Sequence, residues 1–116
     1  QIIKNKPSRF SVLSGDDALT LPMIHMGAEG VISVIGLSHP KDFSEMVSFA
    51  LSGNRKRANE IHYRLLDFYE PLYKEGNPAG VKACLEMMGI CMSFVRSPLV
   101  EASEEVKKRL ANLLEK

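Results

Sequence analysis

The chain has 116 residues, 45% of them hydrophobic and 25% charged, with 15 Lys+Arg against 14 Asp+Glu for a formal charge of +1. This is the composition of one soluble globular domain, able to bury roughly 60–70% of its unfolded surface around one modest core. The even charge balance argues against nucleic acid or an anionic membrane as the main partner, and no apolar run approaches the ~18 residues of a membrane span. The opening Gln-Ile-Ile-Lys-Asn-Lys-Pro lacks the apolar stretch and small-residue cleavage site of a signal peptide. Two cysteines, Cys84 and Cys91, are too few for a disulfide scaffold, so the cytosol is the default compartment. The first residue is Gln1 rather than Met, which leads to the expectation of a processed product or a piece of a longer chain.

In chain order, residues 1–9 are polar, contain Pro7 and read as a loop. Phe10–Ser14 alternates as a short strand and runs into Gly15-Asp16-Asp17. Asp16 or Asp17 then caps a helix that uses Ala18, Leu19, Met23 and Met26 and stops at Gly27, with Pro22 in its early turns. Gly30-Val-Ile-Ser-Val-Ile-Gly36 is a compact second strand whose Val31, Ile32, Val34 and Ile35 suit a parallel strand covered on both faces. Ser38-His39-Pro40 opens a helix with Phe43, Met46, Val47, Ala50 and Leu51 on one side, closed by Gly53. Residues 54–75 form a longer helix carrying Ile61, Leu65, Phe68 and Leu72, with a bend expected at Pro71. Asn77-Pro78 starts another with Val81, Cys84, Leu85 and Met88, ending at Gly89. After Pro98, Ser103-Glu104-Glu105 supplies a cap and an acidic first turn for a last helix bearing Val106, Leu110, Leu113 and Leu114. No internal repeat or low-complexity tract is visible.

The pattern is therefore α/β: strand–helix–strand with a right-handed crossover between parallel strands, then four helices. Two strands alone leave open edges, so most of the sheet is expected to lie outside this sequence.

Several residue groups carry a chemical reading beside a plain one. Asp16 and Asp17 suggest a carboxylate pair or metal site, yet helix capping explains both, and Gly15 is equally a turn residue. His25, His39 and His62 are dispersed without ligand spacing, so no metal site is expected. Cys84 and Cys91 read as buried free thiols and Met87-Met88 as core filler. Asn54-Arg-Lys-Arg57 is the only basic cluster; Glu60 follows and no aromatic interleaves, so it reads as a solvated helix start.

Three motifs, in order and spacing, carry a resemblance: Leu13-Ser-Gly-Asp-Asp-Ala-Leu-Thr-Leu-Pro22, Gly30-Val-Ile-Ser-Val34 and Asn77-Pro-Ala-Gly-Val-Lys82. From Phe10 to its end, including Arg96-Ser-Pro-Leu99, the chain resembles the C-terminal part of the dihydrodipicolinate synthase family, pyruvate-dependent class I aldolases related to N-acetylneuraminate lyase. The resemblance implies the C-terminal fragment of a (β/α)8 TIM barrel followed by a C-terminal helical domain. Residues 1–53 would be the last two βα units, with Phe10–Ser14 as strand seven and Val31–Ile35 as strand eight, and residues 54–116 the helical domain. A complete barrel needs roughly 250 residues.

It further implies a Schiff base between pyruvate and a lysine, and an enamine that attacks aspartate semialdehyde, with no metal or organic cofactor, in the diaminopimelate route to lysine. The family's lysine and relay tyrosine sit on strands six and five, before Gln1. No catalytic residue is then expected in this chain, which alone is expected to be inactive. Gly15, Asp16 and Ile32 would be the substrate-binding residues: Gly15 through close backbone approach, Ile32 through its backbone carbonyl, and Asp16 toward the second substrate's polar end. A homo-oligomer, a tetramer in the family, is implied as well. After strand seven N-acetylneuraminate lyases usually carry Tyr-Asp-Glu; Ser14-Gly15-Asp16-Asp17 here favours the synthase, although sugar-acid aldolases of the group also carry Gly-Asp-Asp. Ala79-Gly80 departs from the family's usual Ile-Pro. A reading from a different class is a non-catalytic helical module whose apolar faces seek partners.

Overall fold

The computed structural model describes residues 1–115. Strand β1 (Leu13–Ser14) pairs in parallel with β2 (Gly30–Val31), Leu13 opposite Gly30 and Ser14 opposite Val31, with the short helix α2 (Thr20–His25) between them. The hydrogen bonds Glu29 N–H to Val12 O (2.8 Å) and Ile32 N–H to Ser14 O (2.9 Å) extend this pairing by one step at each end. Both strands are shorter than the alternation of apolar residues predicts, and the segment Ile35–Leu37 is a 3₁₀ turn instead of strand. Ile32 is 72% exposed and Leu13 46%, so the expected cover on both faces is absent among the described residues.

Residues Ile2–Asn5 make one helical turn, α1, where a loop was expected. In α2 the buried residues are Thr20, Leu21 and Ile24, while Leu19 and Met26 face solvent. The difference is one of phase. Asp16 Oδ1 accepts the Leu19 N–H at 2.9 Å, which holds residues 16–19 as a separate turn and starts the helix later than a cap at Asp16 or Asp17 would.

The remaining helices follow their apolar spacing closely. Helix α3 (Pro40–Leu51) buries Phe43, Met46 and Ala50, with Pro40 in the first turn, where a missing N–H costs nothing. Helix α4 (Arg55–Tyr73) begins at Asn54, whose side chain accepts from Arg57 N–H, and buries Ala58, Ile61, Leu65, Phe68 and Leu72 along one stripe. Arg57 pairs with Glu60 at 2.7 Å, so the basic cluster is a solvated helix start. The helix runs on through Pro71 to Tyr73. Helix α5 (Ala79–Met87) approaches α4 closely at Gly80, where a Cβ would stand 2.4 Å from the Leu72 carbonyl oxygen. Ser103 caps α6 (Glu104–Leu114), which seats Val106 and Leu110 fully in the core.

One apolar cluster thus joins α2, the 3₁₀ turn and α3 to α6. Two expectations fail at the end of α5. Met87, Met88 and Cys91 are exposed, and only Cys84 is a buried thiol. Gly89 adopts φ +72° and turns the chain away after the helix, so the side chains flanking it leave the core.

Candidate functional site

Parallel strands present their C-terminal ends on one side, and that is where Gly15, Asp16 and Ile32 fall. The local sequence builds this edge with side-chain bonds. Ser14, buried, accepts the Asp16 N–H on its hydroxyl (3.1 Å) and donates to the Asp16 carbonyl (2.7 Å), while Thr20 donates to the same carbonyl at 2.8 Å. The turn after β1 is therefore stapled at both ends, and its short polar side chains explain why it does not continue as strand.

Gly15 is exposed, and a Cβ built on it would meet nothing within 4 Å. The described residues themselves place no demand for glycine there. Asp16 is exposed and lines an open groove of about 410 Å³ with Ala18, Leu66, Tyr69, Glu70 and Tyr73. Ile32 lies just beyond β2, its N–H bound to Ser14 O, and its carbonyl accepts no hydrogen bond among the described residues. Gly15 and Ile32 are thus brought to the same end of the sheet through Ser14. Asp16, next in the chain, keeps its Oδ1 on the Leu19 N–H and also borders the groove against α4.

Asp17 departs from its expected role. It is fully buried, and it caps no part of α2. Its Oδ2 accepts the N–H groups of Val34 (3.2 Å) and Ile35 (2.8 Å), at the start of the 3₁₀ turn, and the hydroxyl of Tyr73 (2.7 Å). Its Oδ1 and the Tyr69 hydroxyl are buried without a partner among the described residues. The chemistry is that of an anion at a helical N-terminus, placed there by a residue 17 positions away. Burial, the hydrogen bond to Asp17 and the negative charges of Asp17 and Asp16 all push the Tyr73 phenol well above the usual tyrosine range. Tyr69 is raised too, by burial first and by the same two charges next. No local motif reveals this cluster, because its members are separated by up to 56 residues.

The other singled-out residues lie elsewhere. His39 shares a 3.0 Å contact between Nδ1 and the Ser38 hydroxyl and packs on Phe68 at 4.3 Å; burial lowers its pKa, with Asp42 opposing. His62 packs between Tyr63 and Tyr69, and burial lowers its pKa as well. Among the described residues no three His, Cys, Asp or Glu side chains gather to hold a metal ion. Nor is any helix there long and apolar enough to cross a membrane.

Comparison with known proteins gives the family. The model of the Dihydrodipicolinate synthetase family matches residues 1–116. The chain belongs to that family. It is 50% identical over 99 residues to the 4-hydroxy-tetrahydrodipicolinate synthase of Parabacteroides distasonis, covering 85% of this chain and 33% of that protein. To the enzyme of the same name from Methanocaldococcus jannaschii it is 49% identical over 107 residues, covering 92% of this chain and 37% of the relative. The crystal structure of dihydrodipicolinate synthase from Aquifex aeolicus superposes with a TM-score of 0.93 at 46% identity, over 98% of this chain and 39% of that one. The chain therefore spans little more than a third of the length of these relatives. The three motifs that carried the resemblance lie within a match that extends over the whole sequence.

Proposed function

We propose that this chain forms one wall of the active site of a 4-hydroxy-tetrahydrodipicolinate synthase, an enzyme that condenses pyruvate with aspartate semialdehyde through a Schiff base. The observation that carries the reading is the Ile32 carbonyl. It has no hydrogen-bond partner among the described residues and stands beside Gly15 at the C-terminal end of a parallel strand pair in a chain of this family. That is where a (β/α)8 barrel places its chemistry. Residues 1–53 would contribute the last two βα units of the barrel and residues 54–116 the helical domain.

In this reading a lysine outside residues 1–116 attacks the pyruvate carbonyl and loses water to form the iminium. A proton then leaves the methyl group, and the enamine carbon adds to the aldehyde of the second substrate. The Ile32 carbonyl orients the pyruvate adduct by accepting a hydrogen bond, Gly15 leaves room for it, and Asp16 faces the polar end of the second substrate. None of the described lysines is buried: Lys6, Lys82 and Lys107 are half-buried and the rest are exposed. A Schiff-base amine must be neutral, which calls for a desolvated pocket that these positions lack. The 116-residue chain alone is accordingly inactive, and the working enzyme is a homo-oligomer needing no metal or organic cofactor.

The test is borohydride reduction of the full-length protein in the presence of pyruvate, followed by peptide mass mapping. One pyruvyl adduct on a lysine outside residues 1–116 is expected. An unmodified protein, or an adduct on a lysine within this chain, overturns the reading.

A further inference from the structure

The peptide unit that joins the Ile32 carbonyl to the Ser33 N–H lies between anchored neighbours. The Ile32 N–H, in the unit before it, is fixed to Ser14 O at 2.9 Å, and the Val34 and Ile35 N–H groups, in the two units after it, are fixed to Asp17 Oδ2. Between these anchors, Ser33 accepts the Gly36 N–H on its hydroxyl at 2.9 Å, which tightens the same turn. The unit that carries the Ile32 carbonyl is itself planar, and with the units before and after it anchored only the dihedrals of Ile32 and Ser33 are left to turn it. The first anchor belongs to the sheet. The second is a buried carboxylate whose same oxygen is held by Tyr73, at the C-terminal end of α4.

We infer that Asp17 and Tyr73 form a clasp by which helix α4 sets the orientation of the Ile32 carbonyl, making both of them positioning residues for pyruvate. The inference deepens the function proposed above and rests on it. Neither side chain needs to touch substrate. Asp17 is fully buried, and its role passes through the backbone that it holds. The Tyr73 hydroxyl in turn fixes the carboxylate: a bond between a hydroxyl and an ionised group is short and directional, and it restricts how Oδ2 meets the two N–H donors. Helix α4 thereby has a polar hold on the strand end, beside its Arg64–Asp42 ion pair with α3.

The experiment is steady-state kinetics on the full-length enzyme with Tyr73→Phe, Asp17→Asn and Asp17→Ala, beside Val106→Ala as a core truncation remote from the clasp. Borohydride trapping of pyruvate on the unsubstituted enzyme comes first, and no adduct there overturns the underlying reading. Given an adduct, Tyr73→Phe is expected to raise the pyruvate KM about fivefold while kcat stays within about twofold, the signature of lost binding rather than lost chemistry. Asp17→Asn, which keeps one acceptor oxygen for the N–H donors, should bind pyruvate better than Asp17→Ala. Val106→Ala should lower the melting temperature without moving KM. An unchanged pyruvate KM in Tyr73→Phe, or an equal rise in Val106→Ala, overturns the clasp even if Asp17→Ala fails to fold.

Discussion

The hydroxyl of Tyr73 donates to Asp17 Oδ2 at 2.7 Å across 56 residues of sequence, tying the end of α4 to the turn that follows β1. The bond requires a protonated phenol facing an ionised carboxylate, and both burial and that carboxylate disfavour the phenolate. The sign follows directly. The folded pKa of Tyr73 is raised, so its stabilising contribution is complete below the ordinary tyrosine pKa and is lost as pH rises through the folded value. Absorbance titration near 295 nm, comparing the protein with Tyr73→Phe, should show the Tyr73 phenolate appearing well above pH 10, together with alkaline unfolding. Ionisation of Tyr73 at an ordinary pH in the folded protein would contradict the contact.

Gly80 is a packing constraint. A Cβ at this position would stand 2.4 Å from the Leu72 carbonyl oxygen and 2.8 Å from its carbonyl carbon and Cα, atoms of α4 that cannot swing aside. Alanine normally gains about 1 kcal/mol over glycine inside a helix. Here overpacking at about 1–3 kcal/mol outweighs that gain, since the crossing helices must separate. Gly80→Ala should lower the thermal midpoint of the full-length protein; an unchanged or higher midpoint would show that α5 does not cross α4 as closely as the geometry has it.

Gly15 behaves oppositely. Its backbone is outside the left-handed region and a Cβ would meet no atom of this chain within 4 Å. Gly15→Ala should leave the melting temperature of the full-length protein nearly unchanged. If substrate approaches the backbone here, the same variant raises the pyruvate KM, and separating the two readouts is what marks a binding residue. Equal kinetics in the variant would remove Gly15 from the proposed wall.

The contrast between Gly80 and Gly15 shows what was legible before the structure. Helices α3, α4 and α6 follow from the spacing of Phe43–Met46–Ala50, Ile61–Leu65–Phe68 and Val106–Leu110, and from the cap Ser103, because a helix closes its hydrogen bonds locally. The strands are shorter than their apolar alternation predicts because pairing depends on a neighbour, and neither Phe10 nor Val34 has a strand partner among the described residues. Gly15, Asp16 and Ile32 are singled out by the family resemblance alone. The tie that Asp17 makes could not be read, since its partners lie at positions 34, 35 and 73. The exposed Met87 and Met88 show the same limit, for helical periodicity says nothing of where the chain turns after Gly89.

A second tie between helices is pH-sensitive on the acid side. Glu75, just beyond α4, accepts the Ser103 hydroxyl at 2.6 Å and the Ser103 N–H at 2.7 Å, in that order holding its carboxyl below the usual Glu range. A lowered folded pKa contributes stability above the ordinary value near 4.5 and loses it as pH falls through the folded value. Glu75→Gln should therefore melt at a lower temperature at neutral pH, and the difference from the unsubstituted protein should shrink on acidification. A difference that is constant from pH 7 to pH 3 would mean that the carboxylate charge is not what binds α6.

The isolated 116-residue chain has a problem that its core does not solve. Ile32, Phe94 and Val100 are 72%, 62% and 74% exposed, and a groove of about 510 Å³ between β2 and α3 is floored by Val31, Phe43 and Val47. Each apolar side chain left in water forgoes roughly 1.5–3 kcal/mol of burial, and the two short strands offer open edges to another chain. Residues outside this chain would cover such surfaces in a barrel, whereas the isolated chain can cover them only with copies of itself or with another protein. Size-exclusion chromatography with light scattering should show mass increasing with concentration for the isolated chain, and a fixed mass for the full-length protein over the same range. A concentration-independent monomer of the isolated chain would remove the basis for reading these faces as interaction surfaces.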